Sequence, residues 1–470
     1  MMATFSELKL NTWITRQCQS VGIQQPTLIQ NQCIPRILEG HDCIGCAKTG
    51  SGKTLAFALP ILQRLCEDPY GIFALVLTPT RELAIQIGEQ FQIMGRPINL
   101  RHSIIVGGMD MIQQARELAK SPHVVIATPG RLADHFGSCP TFTLKKIKFL
   151  VIDEADRILA GNFDEQLEVI FKQLPEKRQN LLFSATMTDA LEKVKEVTTN
   201  QVFVFDRPEG EVATVETLQQ SYLLCPDHVK DGYLVQLLRD FKEQNPTGAV
   251  IVFTNTCKSC QLLSMMLEKL GFPNMALHSM APQKQRIAAL TKFKSNHVRI
   301  LIATDVASRG LDIPTVQLVV NHVIPNVPKD YVHRVGRTAR AGRGGKAISL
   351  VTPRDINLLR AIEDTIHVKL VEHTVDDTEV ATIFAQVSMT RREAEIKLDE
   401  SDFFEKKDLN KKKEIVMQGK DPDLEAQRER KRRKKERKRR VAAAIKTRAA
   451  RKEQSNSQTP RPDSPITSSQ

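Results

Sequence analysis

The stretch Ala47-Lys48-Thr49-Gly50-Ser51-Gly52-Lys53-Thr54 decides how this chain is read. It is a glycine-rich turn between an apolar run, Cys43-Ile44-Gly45-Cys46, and a helical pattern that opens with Leu55-Ala56-Phe57. Glycines at 50 and 52 let the backbone turn with no Cβ in the way. Several N–H groups can then converge on one anion at a helix N-terminus, where the dipole also favours negative charge. Lys53 adds a full positive charge for the β- and γ-phosphates, and Thr54 supplies a hydroxyl for Mg²⁺. The GxxxxGK[ST] spacing, in the strand–loop–helix setting it requires, predicts a triphosphate cradle over all eight residues.

Outward from that turn, short β-rich runs alternate with amphipathic stretches. They are DCIGCA, FALVLTPT (73–80), HSIIVGG (102–108), HVVIATPG (123–130), FLVIDEAD (149–156) and NLLFSAT (180–186). Continuous apolar strands separated by helices predict a parallel sheet covered on both faces, and ligands of such sheets bind beyond the carboxyl ends of the strands. Asp153, directly after an apolar strand in a chain with a phosphate loop, is placed to hold Mg²⁺. Glu154 is placed to take a proton from an attacking water.

The net charge of +13 is unevenly spread, because residues 428–440, RERKRRKKERKRR, carry +9 and leave about +4 for everything else. A near-neutral folded body with a separate polycationic tail is expected of a protein that meets nucleic acid. The N-terminal MMATFSELKLNTW has neither the basic start nor the long apolar core of a signal peptide, and no apolar run approaches the ~20 residues of a membrane span. An intracellular protein with reduced thiols is therefore expected for the nine cysteines. Two CxxC pairs occur. Cys43 and Cys46 lie on a strand, where i and i+3 face opposite ways. Cys257 and Cys260 sit where a strand turns into a helix, a place where a thiol pKa can be depressed.

The series of motifs resembles the DEAD-box ATP-dependent RNA helicases of helicase superfamily 2. It comprises Gln30 with Phe5 upstream, AKTGSGKT, PTRELA (79–84), Gly107-Gly108, TPGR (128–131), DEAD (153–156) and SAT (184–186). The resemblance implies that Gln30 reads the adenine edge of ATP with Phe5 packed nearby. It implies that Thr80, Arg81, Gly108, Thr128 and Arg131 follow an RNA backbone, and that Asp156, Ser184 and Thr186 couple ATP state to RNA grip. The family usually has an aromatic residue after Gly22, where this chain has Ile23.

After a polar linker at 207–217, RPEGEVATVET, a second strand–helix alternation begins: SYLLC (221–225), AVIVFTNT (249–256), NMALHS (274–279), RILIATD (299–305), LVVNHVIP (318–325) and KAISLVT (346–352). It has no GxxxxGK[ST], so it must complete a site in the first half. The segment His333-Arg334-Val335-Gly336-Arg337-Thr338-Ala339-Arg340 supplies guanidinium groups suited to charge spread over a transferring phosphoryl group. The resemblance makes Arg337 and Arg340 arginine fingers and His333 a coupling residue, with Ala339 where glycine is usual. It also carries over Thr304, Gly310 and Arg286 as RNA contacts and Asp312 as a ribose contact.

The expected architecture is thus α/β, with two tandem RecA-like parallel-sheet domains joined by a short linker. The expected limits are an adenine-reading segment 1–33, a first domain 34–206, the linker 207–217, a second domain 218–375 and a charged extension 376–470 whose Ser/Pro-rich end reads as disordered. The expected activity is ATP- and Mg²⁺-dependent remodelling of RNA, including pre-rRNA, by a monomeric core in the nucleus and nucleolus, with pre-ribosomal complexes as partners and no membrane. An alternative is an ATP-gated RNA clamp or assembly scaffold in which strand separation is incidental.

Overall fold

The computed structural model describes residues 4–47, 50–138, 142–161, 163–185, 187, 200–206, 218–305, 316–339, 344–401 and 403. Lys48, Thr49, Thr186, Gly310, Asp312, Arg340 and the linker 207–217 lie outside them.

Two seven-stranded sheets organise the chain, and every described strand pairing in them is parallel. The first contains β1 (Asp42–Cys46), β2 (Ala74–Leu77), β3 (His102–Ile105), β4 (Val124–Ala127), β5 (Phe149–Asp153), β6 (Gln179–Ser184) and β7 (Val202–Asp206), in the order β3-β4-β2-β5-β6-β1-β7. The second contains β8 (Leu218–Leu224), β9 (Val250–Thr254), β10 (Asn274–Leu277), β11 (Ile300–Thr304), β12 (Leu318–Asn321), β13 (Gly345–Val351) and β14 (Val371–Glu372), in the order β10-β11-β9-β12-β13-β8-β14. These are tandem RecA-like domains. Two edge strands, β7 and β14, escape the sequence reading. The first, Val202-Phe203-Val204-Phe205, is an apolar run that the reading passed over just before the linker, and the second is two exposed residues with no apolar run to read.

Strand residues alternate between two cores, as period-two geometry requires of a sheet covered on both faces. Val76, Val151, Leu181 and Phe183 face one cluster, while Leu75, Leu77, Leu150, Ile152 and Leu182 face the other. Cys43 and Cys46 fall into opposite clusters for the same reason. The second cysteine pair departs from expectation. Burial pushes the Cys260 thiol up to about 12, so strand-to-helix placement does not depress it; the wall of the core outweighs the helix end.

Past residue 375 the strand–helix rhythm stops, but order does not. The helix Asp377–Glu400 lays Val380, Ile383, Val387 and Ala394 inward. Tyr233 donates to Asp377 at 2.6 Å, Gln236 donates to Glu379 at 2.6 Å, and Arg391 pairs with Asp231. Residues up to Glu395 belong to one compact unit with both sheets. Beyond it, Ser401 donates to the Leu398 carbonyl at 2.6 Å, closing the end of that helix.

Candidate functional site

Because the first sheet is parallel, the segments that follow its strands all gather at one edge. The phosphate loop follows β1, Thr80-Arg81 follows β2, Gly107-Gly108 follows β3, Thr128 to Arg131 follows β4, Asp153-Glu154 closes β5 and Ser184 closes β6. The backbone N–H of Ala47 donates to the Ser184 carbonyl at 3.1 Å, so the start of the loop and the end of β6 are directly joined.

Gly52 has φ +90°, and a Cβ there would meet Gln30 Nε2 at 2.4 Å. Only glycine fits, and what occupies the space is the buried Gln30 amide, which donates to the Gly52 carbonyl at 3.0 Å. The other end of that amide accepts from Thr27 N at 3.0 Å and caps the helix Leu28–Leu38. Gln30 is thereby fixed against the loop. Phe5 is buried in the same core, 2% exposed, and Gln63 straps its segment down by accepting from Asn11 N at 2.8 Å and donating to the Lys9 carbonyl at 3.1 Å. Ile23 packs against that core.

Lys53 opens the helix Lys53–Glu67 and donates to the Ala47 carbonyl, curling over the loop. Burial holds its ammonium below the usual lysine range, and Asp153, Glu154 and Asp156 oppose that shift. Asp153 is buried, accepts from Glu154 N at 3.0 Å, and is held above the usual carboxylate range by burial. Glu154 adopts a left-handed backbone, φ +51°, a strained setting for a residue with a side chain. Burial, then the Asp153 charge, push its carboxyl up to about 7, while Arg157 and Arg337 pull the other way. A carboxyl poised near neutrality suits proton transfer. Ser51 Oγ, Glu154 Oε2 and Asp156 Oδ1 are buried without a hydrogen-bond partner, so this set fits a cation and its waters, which Thr54 and Asp153 would hold.

Beside this lies a cationic face. A Cβ on Gly107 or Gly108 would meet the Arg81 guanidinium at 2.9 or 2.6 Å, so bare backbone seats that arginine. Burial, then the Arg286 charge, lower the Arg81 pKa, Glu82 opposes them, and Arg131 adds a smaller lowering. Arg286 comes from the second domain. Its Nη2 lies 2.8 Å from Glu82 Oε2, both side chains being buried, and Gln283 donates to the other Glu82 oxygen at 2.8 Å. Glu82 is thus a buried link between the domains, beside the more exposed pair of Lys294 with Glu89 at 3.9 Å. Sequence reasoning passed over it, since nothing in PTRELA names a partner some 200 residues away. Thr80 stands at the N-cap position of the helix Arg81–Gly95 with its hydroxyl buried and making no hydrogen bond, and Thr128 and Thr304 are buried at their strand ends.

From the second domain, Arg337 is buried, 2% exposed, and after Arg157 its charge is a further one opposing the upward shift of the Glu154 carboxyl. Neighbouring Arg334 has a different task. It clasps Asp305 through Nε and Nη2 at 2.6 and 2.7 Å, bonds Asn321, Val323 and Asn255, and lies over the Phe253 ring. Arg334 stitches three strand ends together. His333 lies one residue before it on the helix Pro328–Val335.

Residues 27–194 match the DEAD/DEAH box helicase family, and residues 229–342 match the helicase conserved C-terminal domain. The chain belongs to the DEAD/DEAH box helicases. It is 60% identical over 431 residues, 91% of this chain and 89% of the relative, to the human protein named Probable ATP-dependent RNA helicase DDX49. To ATP-dependent RNA helicase DBP8 of Scheffersomyces stipitis it is 47% identical, over 87% of this chain and 94% of that one. Among solved structures, S. cerevisiae Dbp5 bound to RNA and ADP BeF3 aligns with a TM-score of 0.72 at 30% identity, over 82% of this chain and 99% of that one. Mss116p bound to ssRNA and AMP-PNP aligns with a TM-score of 0.75 at 28% identity, over 82% of each chain. This helicase is therefore an RNA-dependent ATPase.

Proposed function

We propose that this helicase grips one RNA strand by its backbone at the Arg81 face and locally separates short duplexes when ATP brings the two domains together. The observation that supports this reading is the buried contact between the halves beside Arg81, where Arg286 and Gln283 of the second domain each reach Glu82 of the first at 2.8 Å, so that one face is built by both domains. Lys53, with Ala47 to Thr54, holds the phosphates; Gln30, Phe5 and Asp312 hold the nucleoside; Thr54 and Asp153 hold Mg²⁺. Glu154 takes the proton of the attacking water, and Arg337 and Arg340 stabilise transferring charge, a contribution typically on the order of 10³ to 10⁵ in rate. Thr80, Arg81, Gly108, Thr128, Arg131, Arg286, Thr304 and Gly310 follow the sugar-phosphate backbone without reading bases. Asp156, Ser184, Thr186 and His333 couple the two tasks.

The working domains are 34–206 and 218–375, with the helix Asp377–Glu400 as a brace on the second. We assign the RNA to the pre-ribosomal class and the site of action to the nucleolus, with pre-ribosomal complexes as partners and a monomeric core. The run 428–440 supports this, as a polycation suited both to structured RNA and to nuclear address.

Steady-state ATP turnover with and without RNA, beside a short-duplex unwinding assay, tests the reading. RNA should stimulate turnover, and unwinding should follow it. Stimulated turnover without unwinding would leave an ATP-gated clamp, a reading that the buried Glu82–Arg286 pair between the domains favours.

A further inference from the structure

Two of the loops assigned to RNA are tied together beneath the surface by a pair that no motif names. Gln114, 4% exposed on the helix Met111–Ala119, donates through Nε2 to the Val106 carbonyl at 2.9 Å, immediately before Gly107-Gly108. Its Oε1 lies 3.3 Å from Nε2 of His135, which is fully buried on the helix Pro129–Ser138. The same helix carries Arg131, whose Nη1 donates to the Met109 carbonyl at 3.3 Å on the far side of the glycines. The glycine loop is therefore held at both ends against the helix of Arg131.

Hydrogen-bond bookkeeping fixes the state of this pair. Since Gln114 spends its N–H on Val106, its oxygen must accept, and His135 Nε2 must carry the proton. His135 Nδ1 is then a bare acceptor, and it is buried without a hydrogen-bond partner. A neutral ring meets this requirement, and burial lowers the His135 pKa in that direction. A hydrophobic residue at 114 would leave a carbonyl and a ring N–H unpaired inside the domain. Position matters here on a scale of tenths of an ångström, because the Arg81 guanidinium sits where a Cβ of Gly107 or Gly108 would be.

We propose that Gln114, oriented by His135, is a positioning residue for RNA, locking the Gly107-Gly108 loop to the helix of Arg131 so that Arg81 and Arg131 meet one backbone in fixed spacing. This rests on the assignment of that face to RNA. Gln114→Leu should raise the KM for RNA in the ATPase assay about tenfold, the loss expected for two buried hydrogen bonds, with kcat at saturating RNA and the Kd for ADP near those of the parent. His135→Phe should do the same. His135→Gln, which returns an N–H near the place of Nε2, should restore the KM, a rescue that a purely space-filling role would not show.

Arg131→Met serves as the reference for the face itself. If it leaves the KM for RNA unchanged, the RNA assignment fails and this inference with it. If it raises the KM while Gln114→Leu and His135→Phe only lower the melting temperature, the pair is core packing and the positioning role is overturned. Should Gln114→Leu fail to fold, the His135→Phe and His135→Gln comparison decides alone.

Discussion

The two sheet domains have the same strand order, position for position, and yet only one can hold a triphosphate. β1 and β8 occupy equivalent places, and each leads into a fifteen-residue helix that begins with a lysine, Lys53 or Lys230. Both lysines are held below their usual pKa by burial. The difference lies in the approach. Before Lys53 the chain runs through Gly50 and Gly52, both at positive φ; before Lys230 it runs through Pro226 and the short 3₁₀ turn Asp227–Val229, and no glycine turns its N–H groups inward. The same fold thus makes a cradle or a plain turn according to a few residues, and function sits in the loops that the sheet presents. The second domain offers arginine side chains instead, with Arg337 buried and Arg286 reaching across to Glu82 of the first domain.

The sharpest way to break this comparison is to remove each lysine. Lys53→Ala should lower kcat/KM for ATP on the order of 10³-fold, the scale of losing one preorganised cationic contact. Lys230→Met, measured in the same steady-state assay, should stay within about threefold of the parent and keep the melting temperature, because burial disfavours the Lys230 charge more than Cys225, Asp355 and Asp227 favour it. A comparable loss in both variants would mean that the second domain also meets nucleotide, and the contrast between the halves would fall.

Legibility in the sequence followed range. The loop Ala47–Thr54, the strand ends and the order of motifs could be read because each is local: glycines in a turn, an apolar run, an acid directly after a strand. The contacts that join the halves could not. Glu82 reads as one more helical acid until the fold brings Arg286 to it, and Arg334 and Arg337 look alike in sequence although it is Arg334 that clasps Asp305. Gln30 was readable as a site residue, but its bond to Gly52 depends on a close approach that only the packed helix reveals.

A smaller effect separates the halves by pH. Each has a buried histidine bonded through Nε2 to a glutamine oxygen, His135 to Gln114 and His278 to Gln261. His278 lies beside Arg286, and burial followed by that charge lowers its pKa from 6.5 to about 4. Below pH 6.5 the unfolded chain takes up this proton before the folded one does. The stability tied to the neutral ring is therefore full above pH 6.5, declines as pH falls, and is lost by about pH 4. Its size is at most ~3.5 kcal/mol, since each tenfold loss of proton affinity on folding corresponds to about 1.4 kcal/mol. Urea unfolding between pH 7 and 4.5 should show a shallower acid loss in His278→Asn than in the parent, and identical slopes would place that proton elsewhere.

The smallest expected effect concerns strain at the cleft. Each half offers one non-glycine residue there with a left-handed backbone, Glu154 at φ +51° and Ala339 at φ +53°. The first is the residue proposed to take the proton of the attacking water, and on that reading its strain is the cost of placing a carboxylate. The second is a fully buried alanine at a position where the family commonly has glycine. A Cβ in that region costs roughly 1–2 kcal/mol, and glycine returns about half of the gain as added freedom of the unfolded chain. Ala339→Gly should therefore stabilise the protein by no more than about 1 kcal/mol, read as a rise in urea midpoint at unchanged m-value, with kcat near that of the parent. A clear loss of stability would show that the methyl group is held by packing strong enough to offset its strained backbone, and the two positions would then differ in more than the chemistry they perform.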